Sequence, residues 1–127
     1  MKLYFDTDFF LALIKDDDHL KQRAAAVYQK YRNETKVTSS ITLLEIWFYF
    51  LRHDPAKLSI AFPAASGLVN EVLPVGSEMM SAAIGLSEKY RLNPADSVHA
   101  AYGFSADGMV SSDRAFDRVR GLKIIHF

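Results

Sequence analysis

The chain contains no cysteine, which excludes disulfides and thiolate metal sites and fits a cytoplasmic location. No run approaches the ~20 apolar residues that a membrane helix needs. Acids at positions 6 and 8 interrupt the early apolar stretch, so no signal peptide is visible. There is no excess charge of either sign, with 15 Lys plus Arg against 15 Asp plus Glu. A balanced chain has no global attraction for a polyanion, so nucleic-acid binding would need a local basic patch or bound cations. Repeats, linkers and low-complexity segments are also missing. The histidines, His19, His53, His99 and His126, are scattered without the spacing of a metal-binding pair and are read as structural.

What is present is an ordinary globular composition: 127 residues, 50% apolar and 24% charged. One domain over 1–127 is expected, burying about two thirds of its unfolded surface. Leu3-Tyr4-Phe5 is a short apolar run that stops at Asp6-Thr7-Asp8, and a second run, Phe9 to Ile14, follows at once. The first reads as a buried strand and the second as a helix capped by Thr7 or Asp8. Asp16-Asp17-Asp18 precedes a helical repeat through Tyr31 and reads as a helix start rather than a metal site, because adjacent acids point apart.

Further along, strand and helix keep alternating. Val37-Thr38-Ser39, Val72 to Val75, Met109-Val110-Ser111 and Lys123-Ile124-Ile125 are expected strands. Asp54-Pro55 is expected to start a helix that Pro63 and Gly67 disturb. Ser77 to Tyr90 reads as a helix burying Met80, Ala83, Ile84 and Leu86. Asn93-Pro94-Ala95-Asp96 carries the cap, the proline and the first-turn acid of a helix start. This alternation predicts an α/β fold with a mainly parallel sheet.

From Ile41 to Leu51 the only charged residue is Glu45, among Leu43, Leu44, Ile46, Trp47, Phe48, Tyr49, Phe50 and Leu51. A helix apolar nearly all round is buried or docked on a partner, and an acid within it needs a cation or a pair. Arg52 is the pairing alternative to a metal. Asp6 and Asp113 each follow a strand, while Glu45 and Asp96 lie in the first turns of helices. Strand ends and helix starts share one edge of a parallel sheet, so the four acids can converge. Two carboxylates ~4 Å apart repel by about 4 kcal/mol at an effective dielectric near 20, a penalty that a divalent cation removes. Ligands that are all oxygen favour Mg²⁺ or Mn²⁺ over zinc.

These residues resemble the PIN-domain family, in particular the VapC-like ribonuclease toxins of type II toxin–antitoxin pairs. The resemblance rests on Asp6-Thr7, Ser40-Ile41-Thr42-Leu43-Leu44-Glu45, Asn93-Pro94-Ala95-Asp96 with His99-Ala100-Ala101, Ser111-Ser112-Asp113-Arg114-Ala115-Phe116 and Gly121-Leu122-Lys123-Ile124-Ile125. It implies a PIN-like α/β/α sandwich around a five-stranded sheet. It further implies a metal-dependent endoribonuclease that leaves a 5′-phosphate and a 3′-hydroxyl, with one or two Mg²⁺ or Mn²⁺ ions held by Asp6, Glu45, Asp96 and Asp113. Ser111 matches the family's Thr or Ser two residues before the last acid. Asp8 stands where relatives mostly carry Asn or Ser, and Ala115 where many carry an acid; Thr7, Asp8 and Asp117 become outer-shell candidates. Arg114, Arg118 and Arg120, with Lys123, form the dense basic stretch that could contact RNA phosphates. A small antitoxin protein and a second copy of the chain are the implied partners.

Two other readings stay open. Asp6-Thr7-Asp8 also suits a haloacid-dehalogenase-like phosphatase with Asp6 as nucleophile and Asp8 as general acid. That reading lacks room for a flap after Asp8 and a lysine at a strand-to-helix start before Asp113. The second alternative is a PIN-like fold kept as a non-catalytic binding module, with Trp47-Phe48-Tyr49-Phe50 as its surface. Core packing accounts for at least half of those aromatics.

Overall fold

The computed structural model describes residues 1–127. Five strands, β1 (Lys2–Phe5), β2 (Thr35–Ser39), β3 (Glu71–Leu73), β4 (Gly108–Ser111) and β5 (Ile124–His126), alternate with six helices. These are α1 (Thr7–Ile14), α2 (Lys21–Lys30), α3 (Ser40–His53), α4 (Leu58–Gly67), α5 (Ser77–Tyr90) and α6 (Pro94–Ser105). The strand order is β3-β2-β1-β4-β5, and every pairing is parallel.

β1 lies at the centre because it is apolar on both faces. Leu3 and Phe5 point to one side and Tyr4 to the other, as a period of two requires, and none of the three is exposed. Leu3 and Phe5 join Phe9, Phe10, Ala24, Ile46, Phe50, Ala61 and Val110 in a core beneath α1–α4. Tyr4 joins Val37, Ala83, Val98, Ala101, Tyr102 and Met109 in a second core beneath α5 and α6. Three layers result. A fully buried ring such as Phe9 contributes about 2 kcal/mol on burial. Gly103 lets α6 settle onto β4, since a Cβ there would lie 2.9 Å from Leu122 Cδ1 and 3.2 Å from Met109 Cβ.

The expected elements are all present, with adjusted limits. β3 ends before Pro74, which has no N–H for the ladder. Asp54 makes no side-chain cap, and Pro55–Lys57 forms a short 3-10 turn before α4, which runs through Pro63. Ser77–Tyr90 is helical as expected, but its buried stripe is narrower. Ala83 is buried, whereas Met80 and Ile84 are exposed, because α5 packs mainly against α6. The carboxyl ends of β1, β2 and β4 open on one edge, where the chain passes from Phe5 to Asp6, Ser39 to Ser40 and Ser111 to Asp113. The strand order reverses between β1 and β4, and this crevice is where parallel α/β sheets collect ligands.

Candidate metal centre

Asp6 continues the ladder of β1, with its N–H donating to Val110 O at 3.0 Å. It then turns the chain into α1, its Oδ1 accepting the Thr7 N–H at 2.7 Å. The helix cap is therefore Asp6 itself, not Thr7 or Asp8 as the sequence predicts. One residue serves both purposes: Oδ1 caps, while Oδ2 accepts from Ser111 Oγ at 2.8 Å at the end of β4. Only 5% of Asp6 is exposed. Burial raises its pKa above the usual carboxylate range, against the lowering effects of His99 and Ser111.

Asp8 reaches the same loop from the first turn of α1. Its Oδ2 accepts from Ser112 N at 2.9 Å and also bonds the Ser112 hydroxyl, whereas Oδ1 is buried without a partner. Burial, then the neighbouring Asp6, push its pKa up to about 7. Ser111 Oγ accepts from Asp113 N at 3.0 Å, and Asp113 Oδ1 caps the following 3-10 turn through Ala115 N. Short hydroxyl and amide contacts thus set the loop that carries Asp113.

Glu45 lies in the second turn of α3. Its Oε1 accepts from Thr7 Oγ1 at 2.6 Å and from His99 Nε2 at 2.5 Å. It makes no pair with Arg52, which points to solvent. Burial alone would raise its pKa, but the His99 hydrogen bond and charge outweigh it and the net direction is down. Asp96 sits in the first turn of α6, whose start is built as the sequence predicts: Asn93 Oδ1 accepts from Asp96 N at 2.8 Å, and Pro94 is the first helical residue. Burial and then Asp113 raise the Asp96 pKa.

Asp6, Thr7, Asp8, Leu11, Glu45, Asp96 and Asp113 line one open cleft of ≈ 200 Å³. Carboxylates crowded into it, three of them with pKa values raised by burial and one of these, Asp8, with an unpartnered buried oxygen, form a donor set suited to a hard divalent cation. The residues fit the ion.

Asp117 is not in this cleft. The 3-10 turn over Arg114–Arg118 swings it outward, where it pairs with His126 Nε2 at 2.9 Å and Arg114 at 3.6 Å. Arg114, Arg118 and Arg120 are exposed beside the turn, and Arg118 donates to Arg91 O at 3.3 Å.

The residue that sequence reasoning misplaced is His99. It is not merely a structural histidine. Its Nε2 also lies 3.3 Å from Asp6 Oδ1, and one donor atom each from Asp6, Glu45 and His99 fall within 4.8 Å of one another. Burial works against the charged ring, yet Asp6 and Glu45 raise its pKa overall. The available signal was the spacing Asp96-x-x-His99, which puts both on one helix face.

The family model described as PIN domain matches residues 3–122. The chain belongs to the PIN-domain family. Members are nucleases, and this chain has their PIN-like α/β/α architecture. Among solved structures, it is similar to VapBC2 from Rickettsia felis bound to a DNA fragment from its promoter, at 14% identity and TM-score 0.77, covering 100% of this chain and 99% of that one. It is also similar to DNA-bound VapBC from Salmonella typhimurium, at 20% identity and TM-score 0.73, covering 99% and 98%. A third is the sarcin-ricin loop cleaving toxin VapC20 of Mycobacterium tuberculosis, at 18% identity and TM-score 0.75, covering 93% and 95%. Among curated proteins none matches the chain. PIN-domain membership, with α1 starting directly at Thr7, sets aside the phosphatase reading of Asp6 and Asp8. No helix is long and apolar enough to cross a membrane.

Proposed function

We propose that this protein is a metal-dependent endoribonuclease and the toxin of a toxin–antitoxin pair. The observation that carries the reading is the meeting of Asp6, Glu45, Asp96 and Asp113 around one cleft at the carboxyl edge of the sheet. Asp6, Glu45, Asp96 and Asp113 would hold one or two Mg²⁺ or Mn²⁺ ions. When bound, the cation supplies positive charge for the scissile phosphate and a water of lowered pKa.

The chain's own groups do the remaining work. Asp96, in the wall of the cleft, orients the attacking water. Asn93 Nδ2 donates to its Oδ2 at 3.1 Å and fixes the carboxylate plane. Ser111 keeps Asp6 and Asp113 at a constant separation through its hydroxyl. Arg114, Arg118 and Arg120 contact phosphates beyond the cleaved bond, which compensates locally for a chain of zero net charge.

Leu44, Trp47, Phe48 and Leu51 form an exposed apolar face on α3, with Phe48 67% exposed. On this reading the face takes the antitoxin or a second copy of the chain, as an uncovered patch of this kind favours association. The same face is the one observation in favour of a non-catalytic binding module.

The test is cleavage of total cellular RNA with Mg²⁺ or Mn²⁺. Wild type is expected to cut, with activity lost on chelation. Asp6→Asn and Asp96→Asn should each abolish cleavage while leaving the far-UV circular dichroism unchanged. Full activity in either variant refutes the site, and no metal-dependent cleavage by wild type favours the binding module.

A further inference from the structure

His99 is 1% exposed and lies behind the cleft rather than in it. Its Nε2–H faces Glu45 Oε1 at 2.5 Å, Thr7 Oγ1 at 3.1 Å and Asp6 Oδ1 at 3.3 Å. On the other side of the ring, Nδ1 is 2.8 Å from Tyr4 Oη, and that hydroxyl is 2.8 Å from Ser39 Oγ. The ring is thus tied at both nitrogens, to the end of β2 through Tyr4 and to α3 through Glu45. Filling the space alone calls for an apolar side chain, since a buried polar ring gains nothing by burial unless its hydrogen bonds matter.

Two roles are open to such a ring beside a cation site: ligand, or support for a ligand. The distances decide between them. A contact of 2.5 Å between Nε2 and a carboxylate oxygen is a hydrogen bond with the proton on it. Two ligands of one cation, each about 2.1 Å from the ion, normally stand farther apart. Every hydrogen bond to Glu45 goes to Oε1 and none to Oε2. The protein grips one oxygen and leaves the other to the cleft.

We propose that His99 is a positioning residue whose Nε2–H, braced by Tyr4 at Nδ1, fixes the Glu45 carboxylate so that its second oxygen is presented to the divalent cation. The inference rests on the metal-dependent reading of the cleft. Partners of metal ligands elsewhere change affinity 10- to 100-fold when removed, and the effect should be read first in binding rather than turnover.

The experiment is Mn²⁺ binding by electron paramagnetic resonance and calorimetry on wild type, His99→Leu, His99→Gln and Tyr4→Phe, with thermal melts as the folding control. Glutamine can replace the Nε2–H donor; leucine only fills the volume. His99→Leu should weaken Mn²⁺ binding by about tenfold or more while His99→Gln stays within about threefold of wild type. Wild-type affinity in His99→Leu overturns the inference, and so does His99→Gln as weak as His99→Leu. Should His99→Leu fail to fold, Tyr4→Phe decides: it keeps the ring and loses the brace, and wild-type affinity in it overturns the proposal. A wild type that binds no Mn²⁺ overturns the metal reading and this inference together. Tight binding by wild type and His99→Leu alike overturns the inference alone.

Discussion

Asp8 Oδ2, on the first turn of α1, accepts the amide proton of Ser112 at 2.9 Å across a gap of 104 residues. This clamp sets the loop after β4, and with it the aim of Asp113. Asp8→Ala leaves a half-buried N–H unpaired and should cost about 1–3 kcal/mol in urea unfolding. Asp8→Asn keeps an acceptor and removes a charge next to Asp6, so its metal-free stability should match or exceed wild type. An Asp8→Ala variant as stable as wild type would refute the clamp.

The cleft acids give the stability a direction in pH. Asp6, Asp8 and Asp96 have folded-state pKa values above their ordinary ones, Asp8 at about 7. The folded state therefore binds more protons than the unfolded state, and stability falls as pH rises through that interval. His99, also raised, contributes stability below its unfolded value that is lost as pH climbs through its folded one. Glu45, lowered, runs the other way and loses its contribution only at acid pH. The metal-free melting temperature should decline from about pH 5 to about pH 8. Saturating Mn²⁺ should flatten that decline, because cation binding favours the deprotonated carboxylates. A melting temperature that rises across the same window in metal-free protein contradicts the assignment.

Arg91 ends α5 in the left-handed region, with φ 56° and ψ 43°. Glycine reaches that conformation without the crowding that a Cβ brings. Arg91→Gly should raise stability by about 1 kcal/mol, since the recorded contact of Arg91 with Arg118 uses the backbone carbonyl. Differential scanning calorimetry checks it, and a fall in melting temperature refutes it.

Trp47 and Phe48 stand clear of both cores. Trp47→Ser with Phe48→Ser should change the unfolding free energy by no more than the amount usual for surface changes, about 0.5 kcal/mol for each substitution. The same pair should reduce self-association or antitoxin capture in analytical ultracentrifugation. Unchanged association would mean that the partners use another surface.

The sequence was most legible where chemistry is local. Asn93, Pro94 and Asp96 build a helix start within four residues, and the structure forms that start as read. The ambiguity at Asp6-Thr7-Asp8 was different in kind, because each of the three can cap a helix. What selects Asp6 is the pairing of β1 with β4, a contact with residues more than 100 positions away. His99 was misread for the same reason: its partners Tyr4 and Glu45 are 95 and 54 residues off. Met80 and Ile84 fit the helical repeat of α5, but periodicity alone cannot tell a face that meets another layer from one that meets solvent.

The place of β1 between β2 and β4 has a consequence for synthesis. β1 is made before the other four strands, yet its second neighbour, β4, comes only after β2 and β3, and the hydroxyl that holds Asp6 arrives 105 residues later. Early intermediates can join β1 to β2 and place Asp6 near Glu45, but they lack Ser111 and Asp113. Such long-range closure is intrinsically late in folding. A chain cut short by a stalled ribosome would therefore carry half of the cleft and none of its function.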